Sequence, residues 1–146
     1  MKLLLICLTL LFSTLAFAHE GHGEMPTELS KFGGIMGNVV SEDKMEAKVK
    51  NNPPILKAEI VRSEDGTVRV YLYDLNMNQL KLEGLSKEAQ GTVENRRAKT
   101  KEKFTLMGHG DHFMGKIPKQ KKKPFDIYVT FKKGTEKLFV GFDNLD

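Results

Sequence analysis

The segment at residues 124–132 alternates apolar and polar side chains with a period of two residues. Its apolar members are Phe125, Ile127, Val129 and Phe131. Successive side chains of a β-strand point to opposite faces, so this pattern predicts a strand with one face in a core. Val68, Val70 and Leu72 alternate in the same way within residues 67–74. We therefore expect an all-β fold, with these seven side chains, Leu138 and Val140 in its core.

Turn-forming residues divide the rest of the chain into similar short segments. Residues 57–62 and 67–74 are separated by a loop ending in Asp65-Gly66, a pair that favours a hairpin. Further candidate strands are residues 32–40, 91–97, 101–107, 112–117 and 138–142. Only residues 85–90 have a briefly helical pattern. Seven or eight short strands predict a single β-sandwich of the immunoglobulin-like kind or a small barrel, and the sequence leaves both open.

The N-terminus has the pattern of a cleaved export signal. Lys2 precedes an apolar stretch at residues 3–15, and Ala16 and Ala18 are the small residues that a signal peptidase reads. The apolar stretch is too short for a comfortable membrane span, and no second apolar run follows it. We therefore predict cleavage after Ala18, export to the periplasm or secretion, and no membrane span in the processed protein.

This prediction divides the chain into a signal peptide at 1–18, a flexible histidine-containing leader at 19–31 and one β-domain at 32–146. The one cysteine of the chain, Cys7, lies in the signal, so the processed protein would have neither disulfide nor thiol. Thiol redox chemistry, cysteine-ligated zinc and disulfide-dense scaffolds are therefore excluded.

The four histidines form two clusters with the same spacing. His19 and His22 open the predicted processed chain, whereas His109 and His112 flank Gly110-Asp111 between two predicted strands. Imidazole nitrogen suits copper, zinc and nickel, and thioether sulfur favours Cu(I). After cleavage, His19 would offer a free amine together with its imidazole, a combination that suits Cu(II). The alternative for this cluster is a polar linker that happens to contain histidine.

Methionines accompany the second histidine cluster. If residues 108–111 form the turn, Met107 lies opposite His112, and Met114 faces the same outward side. His109 and Asp111 then lie above this patch on the turn. The candidate metal ligands are His19, His22, Met107, His109, Asp111, His112 and Met114. The competing interpretation is a plain polar turn with methionines packed at a sheet edge.

Other functional motifs are weak or excluded. The basic runs at residues 96–103 and 116–123 lack the interleaved aromatics of a nucleic-acid surface, and the second predicts a solvated loop ahead of the strand at 124–132. Residues 74–85 begin like a calcium loop, but Gln79 and Leu85 replace the required Gly and Glu. No Gly-x-Ser-x-Gly motif is present. We therefore expect no enzymatic activity and no nucleic-acid partner.

The leader is followed by Phe-Gly-Gly-Ile at 32–35, by Tyr-Leu-Tyr-Asp at 71–74 and by a late turn containing Gly110-Asp111. Together these segments resemble a small exported all-β domain associated with bacterial heavy-metal efflux and resistance systems. The resemblance implies a periplasmic β-domain in a metal-related context, with an efflux component as partner.

Two functions remain open on the sequence. The first is a periplasmic accessory protein that handles metal ions, with copper ahead of zinc and nickel, and that folds without metal. The second is a structural or protein-interaction domain of the envelope whose histidines are incidental.

Overall fold

Strands make up most of the chain where the computed structural model describes it, at residues 30–46 and 52–146. This part contains eight strands and one short helix. In chain order they are β1 (Ile35–Ser41), α1 (Glu42–Glu46), β2 (Leu56–Arg62), β3 (Thr67–Tyr73), β4 (Glu88–Asn95), β5 (Thr100–Gly108), β6 (His112–Lys116), β7 (Phe125–Lys133) and β8 (Glu136–Leu145). No helix within these residues is long and apolar enough to cross a membrane.

The strands form a closed antiparallel barrel in the order β1-β2-β3-β6-β5-β4-β7-β8. β1 to β3 are consecutive neighbours, and β4 to β6 follow in reversed order, so that β6 pairs with β3 and β4 pairs with β7. β8 then closes the barrel by pairing with β1. The all-β prediction is confirmed, and the barrel is the correct member of the two alternatives.

The core fills the barrel interior, as expected for eight strands, whose interior is just wide enough for side chains. All nine predicted core residues are buried: Val68, Val70, Leu72, Phe125, Ile127, Val129, Phe131, Leu138 and Val140. Aromatic residues such as Phe113 and Phe142 complete the packing. The period-two pattern identified the inward face because each strand buries one face only.

The prediction of a short helix at residues 85–90 is wrong. β4 begins at Glu88, and its inward side chains alternate with outward ones through Asn95. Gly91 lies beneath the ring of Phe104, and a Cβ at this position would come within 2.3 Å of that ring. Pairing with β5 and β7 on both sides therefore decides the conformation of this segment against its weak local preference.

Antiparallel order assigns the connections to two opposite ends of the barrel. The end that we call the histidine end carries the β3–β4 loop, the β5–β6 turn and the β7–β8 turn. The other, which we call the basic end, carries the β2–β3 turn, the β4–β5 turn and the β6–β7 loop. The histidine cluster and the longest lysine run therefore lie at opposite ends.

Candidate metal site

A tight turn between β5 and β6 brings two histidines face to face. The backbone N–H of His109 donates to the carbonyl oxygen of His112 at 2.8 Å, so Gly110 and Asp111 are the two turn residues. Gly110 has φ of 80°, a conformation that favours glycine at the first central position of such a hairpin. The two imidazole rings lie with their centroids 5.8 Å apart and their planes 19° from parallel.

The spacing of these rings is compatible with one shared metal ion. Imidazole nitrogen binds zinc-like ions at about 2.0–2.1 Å, and the ring centre lies roughly 1 Å behind the nitrogen. Two rings around one ion therefore have centroids at most about 6.2 Å apart. His109 and His112 satisfy this limit at 5.8 Å, with rotation of the side chains needed to aim both nitrogens at one point.

Asp111 controls which nitrogen of His112 is available. Its Oδ1 lies 2.7 Å from Nδ1 of His112, and its Oδ2 accepts a hydrogen bond from Nε2 of Gln79 at 3.3 Å. The hydrogen bond with His112 is the largest cause that lowers the pKa of Asp111, which therefore stays ionised. An ionised carboxylate only accepts, so Nδ1 carries the proton and the neutral ring presents its Nε2 lone pair. Carboxylates commonly orient metal-binding histidines in this way.

The methionine register differs from the prediction by two residues, since the partner of Met107 moves from His112 to Met114. Met107 pairs with Met114, and His109 rather than Met107 stands opposite His112, because the turn has two residues instead of four. The outward orientation of the patch is retained, since Phe113 and Leu106 point into the core. Met107 is 46% exposed, so its thioether is accessible to solvent. The five described ligand candidates thus lie at one corner of the barrel.

A shallow groove adjoins this corner. It has a volume of about 800 Å³ and lies between the β3–β4 loop and the β5–β6 turn. Met107 and His109 form one wall, and Leu82, Leu85 and Lys87 lie across from them. Within residues 30–46 and 52–146, no three His, Cys, Asp or Glu side chains converge on one point. Because Asp111 is bonded to His112 and Gln79, the donors left at the corner are two imidazoles and two thioethers.

The N-terminal part of the described chain is fastened next to this corner by a buried carboxylate. Glu59 faces outward on β2 but is fully buried, because residues 30–34, which we call the strap, cross over it. Its Oε1 accepts hydrogen bonds from Ser30 Oγ at 2.8 Å, Phe32 N at 2.9 Å and Gly34 N at 2.7 Å. Its Oε2 accepts from Lys31 N at 3.0 Å and Tyr73 Oη at 2.7 Å.

These five donors explain the ionisation of Glu59. Burial by itself would raise the pKa of this carboxyl, but the hydrogen bonds from Tyr73, Gly34, Ser30 and Lys31 together lower it. The carboxylate is therefore charged when the strap is in place. Sequence reasoning missed Glu59, because a lone acid on the outward side of a strand normally predicts solvent exposure. The apolar residues on both sides of it were the available signal.

The strap connects directly to the histidine corner through stacked rings. Phe32 stacks on Tyr71 at 4.1 Å between centroids, and Tyr71 contacts His112 at 5.1 Å. Glu59, Tyr71 and His112 are cross-strand partners on β2, β3 and β6. The strap and the histidine turn therefore share one outer face of the barrel. His19 and His22, like the predicted signal and most of the leader, lie outside the described residues.

Comparison of the chain with family models, with curated proteins and with solved structures finds no match.

Proposed function

We propose that the protein is an exported, non-enzymatic metal-binding protein that handles copper and passes it to an efflux or resistance component. The donor set at the histidine end supports copper, because imidazole serves both oxidation states and thioether sulfur selects Cu(I). Export rests on the N-terminal signal pattern, and the partner on the resemblance to metal-resistance domains.

The observation that carries the proposal is the position of the strap beside His112. Ser30 is bonded to Glu59, which lies two inter-strand spacings, or about 10 Å, from His112. His22 precedes Ser30 by eight residues, a chain length that spans up to about 29 Å. The connecting chain is therefore long enough for the leader histidines to reach His109 and His112. The two clusters can then contribute ligands to one site.

Copper titration of the processed protein tests this proposal. We expect binding of Cu(I) at micromolar concentration, and a loss of affinity of roughly tenfold or more in His109→Ala/His112→Ala, since two ligands are removed. The melting temperature should barely change, because no proposed ligand lies in the core. Lys132→Ala/Lys133→Ala, two exposed residues at the same end of the barrel, is the matched control and should bind as the wild type does.

The pH dependence of copper affinity tests whether imidazole binds the metal, and a His22→Ala variant tests whether the leader contributes a ligand. Affinity should fall as the pH is lowered through the imidazole range near 6.5, because a protonated ring cannot ligate. His22→Ala should weaken Cu(II) binding if the leader joins the site, and should leave it unchanged if the turn acts alone. A wild-type protein that takes up no copper, or a double variant that binds equally well, would refute the assignment. The envelope-interaction function would then be favoured.

A further inference from the structure

Two acid-free stretches of sequence contribute cations to the basic end of the barrel. Residues 95–101 contain four lysines or arginines, residues 112–125 contain five, and neither stretch contains Asp or Glu. They are separate in sequence, and residues 116–123 of the second stretch were expected to be a solvated loop. In the fold, the first forms the β4–β5 turn and the second ends in the β6–β7 loop, and both lie at the same end.

A buried amide fastens these two connections to each other. Asn95 is fully buried; its Nδ2 donates to the carbonyl oxygen of Lys122 at 2.6 Å and its Oδ1 accepts from Ala98 N at 2.9 Å. Arg97 Nη1 donates to the carbonyl oxygen of Lys123 at 3.1 Å. Since the amide has partners on both connections, the turn and the loop are held as one surface. Its exposed cations, which we call the basic face, are Arg97, Lys99, Lys119, Lys121, Lys122 and Lys123.

The cations of the basic face make no close ion pairs, whereas neighbouring cations do. Neighbouring Arg96 is paired with Asp126 at 2.9 Å, and Lys101 lies 3.8 Å from Glu94. No member of the basic face forms an ion pair within the described residues. Acids lie nearby, since Glu64, Asp65 and Asp146 line one groove together with Lys119 and Lys123. The six cations outnumber these three acids and repel one another, so an external anionic partner would relieve this repulsion.

The chemistry of the face favours a diffuse anionic surface as its partner. Five of the six cations are lysines, which act as flexible point charges rather than as the rigid forks that arginine offers to a single phosphate. The nearest aromatic ring in the sequence, Phe125, is buried, so no ring at that position is available for stacking of single-stranded bases. We propose that the basic face adsorbs the protein to a membrane surface that carries anionic phospholipid headgroups, with the histidine end directed away from it.

Vesicle binding by the purified protein tests this proposal. The probe is a vesicle of equal parts phosphatidylglycerol and phosphatidylcholine, compared with pure phosphatidylcholine at about 0.1 M salt, where the Debye length is about 10 Å. A lysine close to an anionic membrane contributes about fivefold in affinity, so Lys121→Ala/Lys122→Ala/Lys123→Ala should weaken binding by up to roughly 100-fold, and by at least about tenfold. Binding by the wild type should decline steeply as salt is raised.

The matched control removes the same net charge at the other end of the barrel. Lys132→Ala/Lys133→Ala/Lys137→Ala replaces three exposed lysines at the histidine end and should bind vesicles within about twofold of the wild type, since charges beyond a Debye length are screened. Both triple variants carry the same N-terminus as the wild type, so any contribution of residues 3–15 cancels. Melting curves of the three proteins verify that each is folded.

Four outcomes would overturn the proposal. They are absence of binding to the anionic vesicles, equal binding to pure phosphatidylcholine, an equal loss in both triple variants, and tighter binding to a single-stranded oligonucleotide than to the vesicles. The last result would assign the face to nucleic acid instead. The test involves no copper, so its result is independent of the metal-binding proposal.

Discussion

Replacing Glu59 by glutamine removes the charge from the carboxylate that holds the strap while keeping its size. The Glu59 carboxylate is the acceptor in all five of its hydrogen bonds, and three of the donors are backbone N–H groups. A glutamine retains one acceptor oxygen and places an NH₂ group where the other was. Tyr73 can rotate its hydroxyl to accept from that NH₂, but the N–H of Lys31 then faces a donor and loses its partner.

The size of the effect follows from this count. Hydrogen bonds to a charged acceptor contribute about 1.5–3 kcal/mol each and neutral ones about 0.5–1.5 kcal/mol, and a buried unpaired N–H costs about 1–3 kcal/mol. We expect these losses together to exceed what the strap gains from packing, because its largest apolar side chain, Phe32, is 47% exposed. The strap would then detach and let the side chain hydrate. Detachment limits the measured loss, and we expect about 2–4 kcal/mol in the free energy of unfolding.

Urea unfolding and amide hydrogen exchange measure this prediction. At a loss of 2 kcal/mol, exchange at Phe32 and Gly34 should accelerate about 30-fold, because every 1.4 kcal/mol is a factor of ten. Glu94→Gln is the control, since Glu94 makes only a 3.8 Å contact with exposed Lys101 and should cost less than about 0.5 kcal/mol. Tyr73→Phe removes one donor to the charged carboxylate and should cost about 1.5–3 kcal/mol. Unchanged stability and unchanged exchange in Glu59→Gln would show that the charge of Glu59 does not hold the strap in place.

The pH dependence supplies an independent check. The pKa of Glu59 is lowered in the folded protein, so its contribution is present above the unfolded value of about 4.3 and is lost as the pH falls through the folded value. Protonated Glu59 resembles glutamine in charge and shape. The difference in melting temperature between the wild type and Glu59→Gln should therefore shrink on acidification below pH 4, and a constant difference would contradict the assignment.

Three further predictions concern processing, packing and metal choice. The intact mass of the exported protein should correspond to a chain that begins at His19, and another first residue would remove the N-terminal chelate. Gly91→Ala should destabilise the barrel by about 1–3 kcal/mol in urea unfolding, because the new methyl group meets the Phe104 ring, whereas Thr105→Ala at an exposed position should have little effect. Met107→Leu/Met114→Leu keeps the apolar volume, so it should lower Cu(I) affinity in titration while leaving Cu(II) affinity and stability unchanged.

Local pattern sufficed for the strands and for the direction of their side chains. The period of two in β3 and β7 identified the inward residues, and Asp65-Gly66 located the first hairpin, because both signals depend only on neighbouring residues. The outward orientation of Met107, His112 and Met114 followed from the same period. Local pattern failed at residues 85–90, where pairing partners distant in sequence determine the conformation.

Tertiary structure decided the features on which the candidate functions depend. Closure into a barrel requires β8 to pair with β1, a contact between the two ends of the described chain. The burial of Glu59 requires the strap to cross β2, and the basic face requires Asn95 to join two distant connections. The opposition of His109 and His112 depends on the length of their turn, which has two residues instead of four and so shifts the register by two residues. Side-chain direction is encoded by adjacent residues, whereas register, closure and charge clustering arise from contacts between residues that are far apart along the chain.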